Sequence, residues 1–485
     1  MKRIKSLCFL FCIVVLGGVF FFGANLNQAQ ALALAEQTES NVYNEIDSYL
    51  ADACAKAHFP AMSITIVNKE DVLLSKTYGD CESTDTPFLL GSVSKSFTAL
   101  CIMQLVEQGK INLNAKLSNY LPNATDGNKI SILQLLNHTS GLGEYQNLGN
   151  YKITEKQGVH KYANVNYSIL GKVIECVSGL SYEDYVEENI FEPLSMSKSA
   201  ASYEKAKDNG LIKTYENWFG INTKTTPKFP KSDDAWITAS AGYLSSSTSD
   251  LGRYLQMYMR GGEGIISSES INKMFYENVE VQASIPYKYG MGWTLTNEPL
   301  KQPALRHSGL VETGMSTIYI LPESQIGIAI AVNTNDYFVG KDMMDRIDWS
   351  IVLMLMGDKP NQINDNEYVL RHFLYDLAYF VVFAISVLPL CLIMLYKNRL
   401  TTGRLWVKIS LLILLHLILP IFILLLPQMF FATPLWVVRA FVPDMFTTII
   451  ISSCILFITG IAKTIMLIKK THPPRRQIDS TLAIL

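Results

Sequence analysis

Ser92 and Lys95 stand three residues apart in "LLGSVSKSFTALCIMQLVEQGK", after Gly91 and before apolar positions at Phe97, Leu100, Cys101, Met103 and Leu105. That period predicts a helix whose first turn carries both side chains on one face. A serine hydroxyl attacks a carbonyl only when a neighbour takes its proton, and a lysine can do so once desolvation lowers its pKa. A helix N-terminus adds unpaired N–H groups for a developing oxyanion. The spacing itself is cheap: Ser195/Lys198, Ser202/Lys205 and Ser270/Lys273 repeat it. Ser92 as an ordinary N-cap, with Lys95 solvated, fits the same pattern. Placement separates the copies, because the other three lie in polar or short surface-like segments with no long apolar helix behind them.

Two further elements follow along the chain. In "YANVNYSILGKVIECVSG", Tyr162 and Asn164 precede a helix with apolar residues at Ile169, Leu170, Val173, Ile174 and Val177. A tyrosine held near two cations can serve as a phenolate base, and an adjacent amide can hold a substrate carbonyl. Tyr-x-Asn recurs at Tyr145, Tyr215 and Tyr276, so a loop aromatic packed under the helix is the alternative. In "LRHSGLVETGMSTIYILP", His307, Ser308 and Gly309 enter a strand; glycine there lets a substrate backbone approach, and a strand edge can pair with an extended chain. A lone histidine at a strand start also serves simple structural roles.

These residues must be positioned by the region between about 40 and 358. A helix (Asn41 to Ala55) and two alternating runs, "AMSITIV" and "DVLLSKTYG", open it. The stretch from Leu113 to about Trp236 reads mainly as helix and loop. Strand signals return at "AGYLSSS", "GMGWTLT", "STIYILP" and "IGIAIAVNT", before a helix near Lys341 to Met356. Strands at both ends with a helical insert predict a sheet completed by the two chain ends.

The whole chain has 485 residues, 49% hydrophobic and only 17% charged, which places part of it in lipid. The net charge of −2 carries no basic stripe, so nucleic acid is excluded as a partner. No Cys/His spacing calls for a metal, and no cofactor motif is present. Lys2, Arg3 and Lys5 precede an apolar run and the small-residue stretch "AQALALA", which reads as an export signal or signal anchor over 1–35. Uncharged stretches at Leu377–Tyr396, Ile409–Pro427 and Met445–Ala462, the last continuing to Ile468, are long enough to cross ~30 Å of hydrocarbon. Lys397, Arg399, Arg404 and Lys408 flank the first connection, and Lys469, Lys470, Arg475 and Arg476 follow the third span. Basic residues gather on the cytoplasmic side, so the large domain is extracytoplasmic. The predicted order is signal (1–35), domain (36–358), linker (359–372), three spans (373–468) and cytoplasmic tail (469–485). Of eight cysteines, Cys54, Cys81, Cys101 and Cys176 lie in the domain. Cys101 and Cys176 sit in helical apolar patterns that predict buried free thiols, and no disulfide is assigned.

Taken in order, Ser92/Lys95, Tyr162/Asn164 and His307/Ser308/Gly309 resemble the three active-site elements of serine beta-lactamases and penicillin-recognising enzymes. The Tyr-x-Asn form is similar to the branch of class C beta-lactamases, D-stereospecific carboxypeptidases and aminopeptidases, and related esterases. "LLNHTSGL", "FEPLSMS", "SAGYLSSSTSDLGRYL" and "YGMGW" support it over about residues 40–355. The resemblance implies an α/β, beta-lactamase-like fold: an antiparallel sheet flanked by helices plus a mainly helical lobe. It implies that Ser92 is acylated, that Lys95 and Tyr162 share proton transfer, and that Asn164 binds the substrate amide. The backbone N–H groups of Ser92 and Leu310 would form the oxyanion hole. His138, in "LLNHTSGL", reads as structural. His307 departs from the family, where many members carry lysine; a near-neutral imidazole anchors a carboxylate poorly. The three spans resemble a membrane-bound subgroup that includes peptidases removing acyl-D-amino-acid leaders from natural-product precursors, although Leu89 and Leu90 stand where those enzymes carry an acidic residue. The expected function is an extracytoplasmic serine hydrolase, a D-stereospecific peptidase acting on cell-wall or precursor peptides. An esterase acting on D-alanyl esters and a catalytically silent penicillin-recognising sensor are the alternatives.

Overall fold

The computed structural model describes residues 41–471 apart from 228, 230–234, 283–284, 297–299, 301 and 399–403. The expected signal segment and nearly all of the expected tail lie outside the described residues.

An eight-stranded antiparallel sheet forms the frame. Its strands are β1 (Ala61–Asn68), β2 (Val72–Gly79), β3 (Val279–Gln282), β4 (Ile285–Gly290), β5 (Trp293–Thr296), β6 (Ala304–Val311), β7 (Gly314–Leu321) and β8 (Ile326–Val332). The order is β2-β1-β8-β7-β6-β5-β4-β3, and the register Met62↔Val332 to Asn68↔Ile326 joins the two ends of the domain. Alternation of side chains explains why the central strands are apolar throughout. Along β7, Ile318 and Ile320 enter one core with Phe97 and Leu100, while Tyr319 and Leu321 enter another with Ile46, Leu50, Ile347 and Ile351. The second core is closed by helix 41–56 and helix Gly340–Leu355. The first is closed by helices Ser94–Glu107, Asn164–Ser178 and Thr248–Met259.

Several local expectations are corrected. β3 and β4 have weak apolar alternation, "VEVQ" and "IPYKYG", because they occupy a sheet edge where one face packs lightly. A hairpin of Thr214–Trp218 and Ile221–Thr225 lies inside the stretch read as helix and loop. "AGYLSSS" is mostly not a strand: Ala239–Tyr243 is a kinked helical turn, and only Ser245–Ser246 pairs, with Phe88–Leu89. Cys176 is exposed rather than buried. It lies two residues past buried Ile174, and positions two apart on a helix do not share a face.

Three helices, Asp365–Asn398, Leu405–Phe431 and Pro443–Thr471, are long and apolar enough to cross a membrane. The chain is a multi-pass membrane protein with its large domain outside the cytoplasm. The first helix begins at Asp365 and is bound to the domain before it turns apolar. Arg371 pairs with Asp342 at 2.7 Å, Arg346 with Glu367 at 3.0 Å, and His372 Nε2 meets Asp336 at 2.9 Å. The connection between the second and third helices also returns to the domain. Its short helix Leu435–Phe441 sets Trp436 edge-on to Trp236 (5.2 Å) and Tyr145 (6.2 Å). At the start of the third helix, Asp444 accepts the Phe219 N–H at 3.1 Å.

Candidate active site

The chain does not use Ser92 as a cap. A 3-10 turn, Gly91–Val93, precedes the helix, which begins at Ser94 with no side-chain cap. Ser94 and its neighbours fix the turn: its Oγ donates to Gly91 O at 2.7 Å and accepts from Leu244 N at 3.1 Å. The Ser92 hydroxyl is left for other partners. Tyr162 Oη donates to Ser92 Oγ at 2.8 Å, and Lys95 Nζ lies 3.0 Å from the same oxygen.

Lys95 is completely buried. Its Nζ also reaches Asn164 Oδ1 at 2.8 Å and Ala241 O at 2.6 Å, and stands 4.9 Å from the Tyr162 ring centroid. Burial holds this amine well below the ordinary lysine range. An unprotonated amine has two N–H donors and one lone pair. Two carbonyl acceptors and one hydroxyl donor match that valence.

Tyr162 differs from the sequence expectation of a tyrosine between two cations. Burial pushes its phenol up, and the hydrogen bond to Ser92 opposes that only partly. Neither expected cation stands beside it: burial holds the Lys95 amine low, and burial also drives the His307 imidazole down to about 3 against its bond to Gly292 O. His307 Nδ1 lies 2.5 Å from that carbonyl. His307 and Ser308 point to opposite sheet faces, as β-alternation requires: His307 is buried and Ser308 exposed.

The backbone amides named in the sequence meet across two glycines. A Cβ on Gly91, whose φ is +54°, would strike Leu310 N, and a Cβ on Gly309 would strike Leu90 O and crowd Ser92 N. Only the missing side chains let the 3-10 turn and β6 come this close. β5 pairs with β6 only as far as Arg306, so from His307 onward that edge of β6 has no β5 partner.

Ala241, which the sequence did not single out, and His138, read there as structural, hold the cluster. Ala241 supplies its carbonyl from the kinked turn. His138, at φ +54°, is fully buried, and its Nδ1 accepts from Ala163 N (3.3 Å) and Asn166 Nδ2 (2.9 Å). Its ring lies 4.3 Å from that of Tyr162, so it props the tyrosine from behind. The quoted stretches "LLNHTSGL" and "SAGYLSSSTSDLGRYL" contain both, but nothing in an alanine announces that its carbonyl holds Lys95.

A cavity of about 430 Å³ opens at Ser92, Tyr162, Asn164 and Leu310. Glu144 is its one charged lining residue among the described residues; Lys161 Nζ stands 3.8 Å from the Glu144 carboxylate without lining the cavity. Lys95 and His307 lie behind the wall. No group of three or more metal-ligating side chains occurs among the described residues.

A hydroxyl between a buried amine and a phenol, beside two converging amides, is the equipment of a serine hydrolase that works through an acyl-enzyme. Residues 46–352, more than half of the chain, match the Beta-lactamase family model, and the chain belongs to that family of serine hydrolases. "Protein flp" of Staphylococcus aureus (strain MRSA252) is 26% identical over 415 residues, covering 77% of this chain and 81% of that one. "Teichoic acid D-alanine hydrolase" of the same strain is 29% identical over 270 residues, 51% of this chain and 65% of that enzyme, just under two-thirds of its length. The octameric penicillin-binding protein homologue from Pyrococcus abyssi superposes with a TM-score of 0.57 at 27% identity, covering 66% of this chain and 79% of the other. A class C beta-lactamase in complex with cefoxitin, at 17% identity and TM-score 0.55, covers 66% of this chain and 99% of the other and shares the fold.

Proposed function

We propose that this protein is a membrane-anchored esterase that removes D-aminoacyl groups, D-alanyl in the first instance, from hydroxyls at the outer membrane surface. One observation carries the reading: among the described residues, the cavity at Ser92 is lined by one carboxylate and no cation. An aminoacyl ester brings an ammonium and no carboxylate next to its reacting carbonyl, which suits Glu144. A C-terminal peptide carboxylate would meet no cation among the described lining residues, and His307 stays neutral down to about pH 3. The similarity to a teichoic acid D-alanine hydrolase supports the same substrate class.

In this mechanism Ser92 Oγ attacks the ester carbonyl as its proton passes to the neutral Lys95 amine. The amides of Ser92 and Leu310 receive the oxyanion, and Asn164 orients the acyl group. The C–O bond then breaks, and the alcohol leaves with a proton relayed from Lys95 through Tyr162. Water hydrolyses the acyl-enzyme by the reverse proton path. His307, Ser308 and Gly309 form the strand beside the acyl group.

Intact-mass analysis after exposure to a fluorophosphonate, comparing wild type with Ser92→Ala, tests the nucleophile; an adduct that survives the substitution overturns it. Paired assays with D-alanyl methyl ester and a D-alanine anilide test the reaction. Faster anilide cleavage would favour the second reading, a D-aminopeptidase, which the same Glu144 and neutral His307 accommodate.

A further inference from the structure

The cavity at Ser92 is only half made by the extracytoplasmic domain. Its other wall comes from the membrane region: Pro427 and Phe431 at the end of the second span, Val438 and Phe441 on the short helix, and Met445 on the third. Val438 and Phe441 are 5% and 8% exposed, so they are packed into this junction. The wall is held by the Trp436–Trp236 and Phe441–Tyr337 ring contacts and by Asp444 on Phe219 N. Tyr145 ties in as well, 3.5 Å from Thr433 Oγ1. Glu144, Tyr162 and Asn164 thus offer the polar side of the cavity, and the membrane region offers an apolar one. The volume of about 430 Å³ falls within the ~300–1,000 Å³ typical of ligand sites.

We infer that the leaving alcohol of the substrate is a membrane amphiphile: an aminoacyl ester of a lipid, whose chain rises from the outer leaflet along Phe431, Val438 and Phe441. The membrane segment is then a specificity-determining wall as well as an anchor. This rests on the esterase reading above, with the aminoacyl part on the Glu144 side. Ser92 attack releases a free lipid alcohol, and water releases the amino acid.

The test uses the full-length protein in lipid nanodiscs with two probe series. The first is D-alanyl esters of n-alcohols from methyl to dodecyl, read as kcat/KM. The second is ethyl and dodecyl fluorophosphonates, read as the rate of Ser92 labelling, which does not depend on the amino acid. In wild type the ester rate should rise roughly two- to fourfold per methylene until the cavity fills, and dodecyl should outrun ethyl labelling at least tenfold. Val438→Ser and Phe441→Ser should each cut the long-to-short ratio in both series. The membrane is common to all samples, so partitioning of the probes cancels between wild type and variants, and unfolding temperature checks that the variants are folded. Ratios that are flat in wild type, or unchanged in both variants, overturn the wall and leave the esterase reading standing. A dodecyl labelling advantage without hydrolysis of any D-alanyl ester keeps the wall and overturns the esterase.

Discussion

Ser92/Lys95 and Ser202/Lys205 share a spacing and almost nothing else. Ser202 caps its helix, accepting from Lys205 N at 3.4 Å, and Lys205 reaches out to pair with Glu187 at the surface. Ser92 caps nothing, and Lys95 is sealed among Asn164, Ala241 and Tyr162. The surface amine has water and a carboxylate around it. The buried amine has amide and hydroxyl partners but no carboxylate, so loss of its proton is cheap. What separates the two pairs is supplied by Asn164 and Ala241, 69 and 146 residues further along the chain from Lys95.

Substitutions can break this contrast. Ser92→Ala should lower ester hydrolysis on the order of 10⁶-fold and abolish covalent labelling, as for other nucleophile deletions, whereas Ser202→Ala should leave turnover intact. Tyr162→Phe removes the hydroxyl that donates to Ser92, and kcat should fall roughly 10²- to 10⁴-fold with little change in KM. A pH profile sharpens the comparison. With Lys95 as base, kcat/KM should fall as pH drops through its depressed pKa, giving an acid limb well below the ordinary lysine range. His307→Gln should leave that limb where it is, because the imidazole is already neutral above about pH 3; a moved limb would mean that His307 carries charge in the working enzyme.

Stability gives a smaller reading. An unfolded histidine takes up a proton near pH 6.5, whereas the buried His307 does so near 3. The unfolded state therefore binds more protons in that window, and stability should fall as pH drops from about 6.5 toward 3, by up to ~1.4 kcal/mol per pH unit for this one group. Urea titrations at stepped pH should show His307→Gln losing that part of the dependence. Smallest of all, Ser202→Ala should cost about 1 kcal/mol as a lost cap, and Lys205→Ala no more than about 0.5 kcal/mol.

The sequence order of Ser92, Tyr162 and His307 made the family pattern readable, and hydrophobic period alone exposed the central strands and three spans. Ala241 was unreadable because its contribution is a carbonyl, which every residue owns. β3 and β4 were missed because an edge strand buries too little to leave a pattern. The apolar wall at Val438 and Phe441 lies in a short connection between two spans, with no local pattern that points to Ser92. Its meaning exists only once the fold returns it to Ser92, more than 300 positions back.

The contacts of Arg371, Arg346 and His372 with Asp342, Glu367 and Asp336 have a consequence for encounter. They tie the domain to the first span without a free linker, so the mouth of the cavity is expected to stay near one height above the lipid. Such an enzyme searches a plane. Its velocity should follow the mole fraction of substrate in the bilayer and stay constant when vesicles of fixed composition are diluted at saturating coverage, which surface-dilution kinetics would measure.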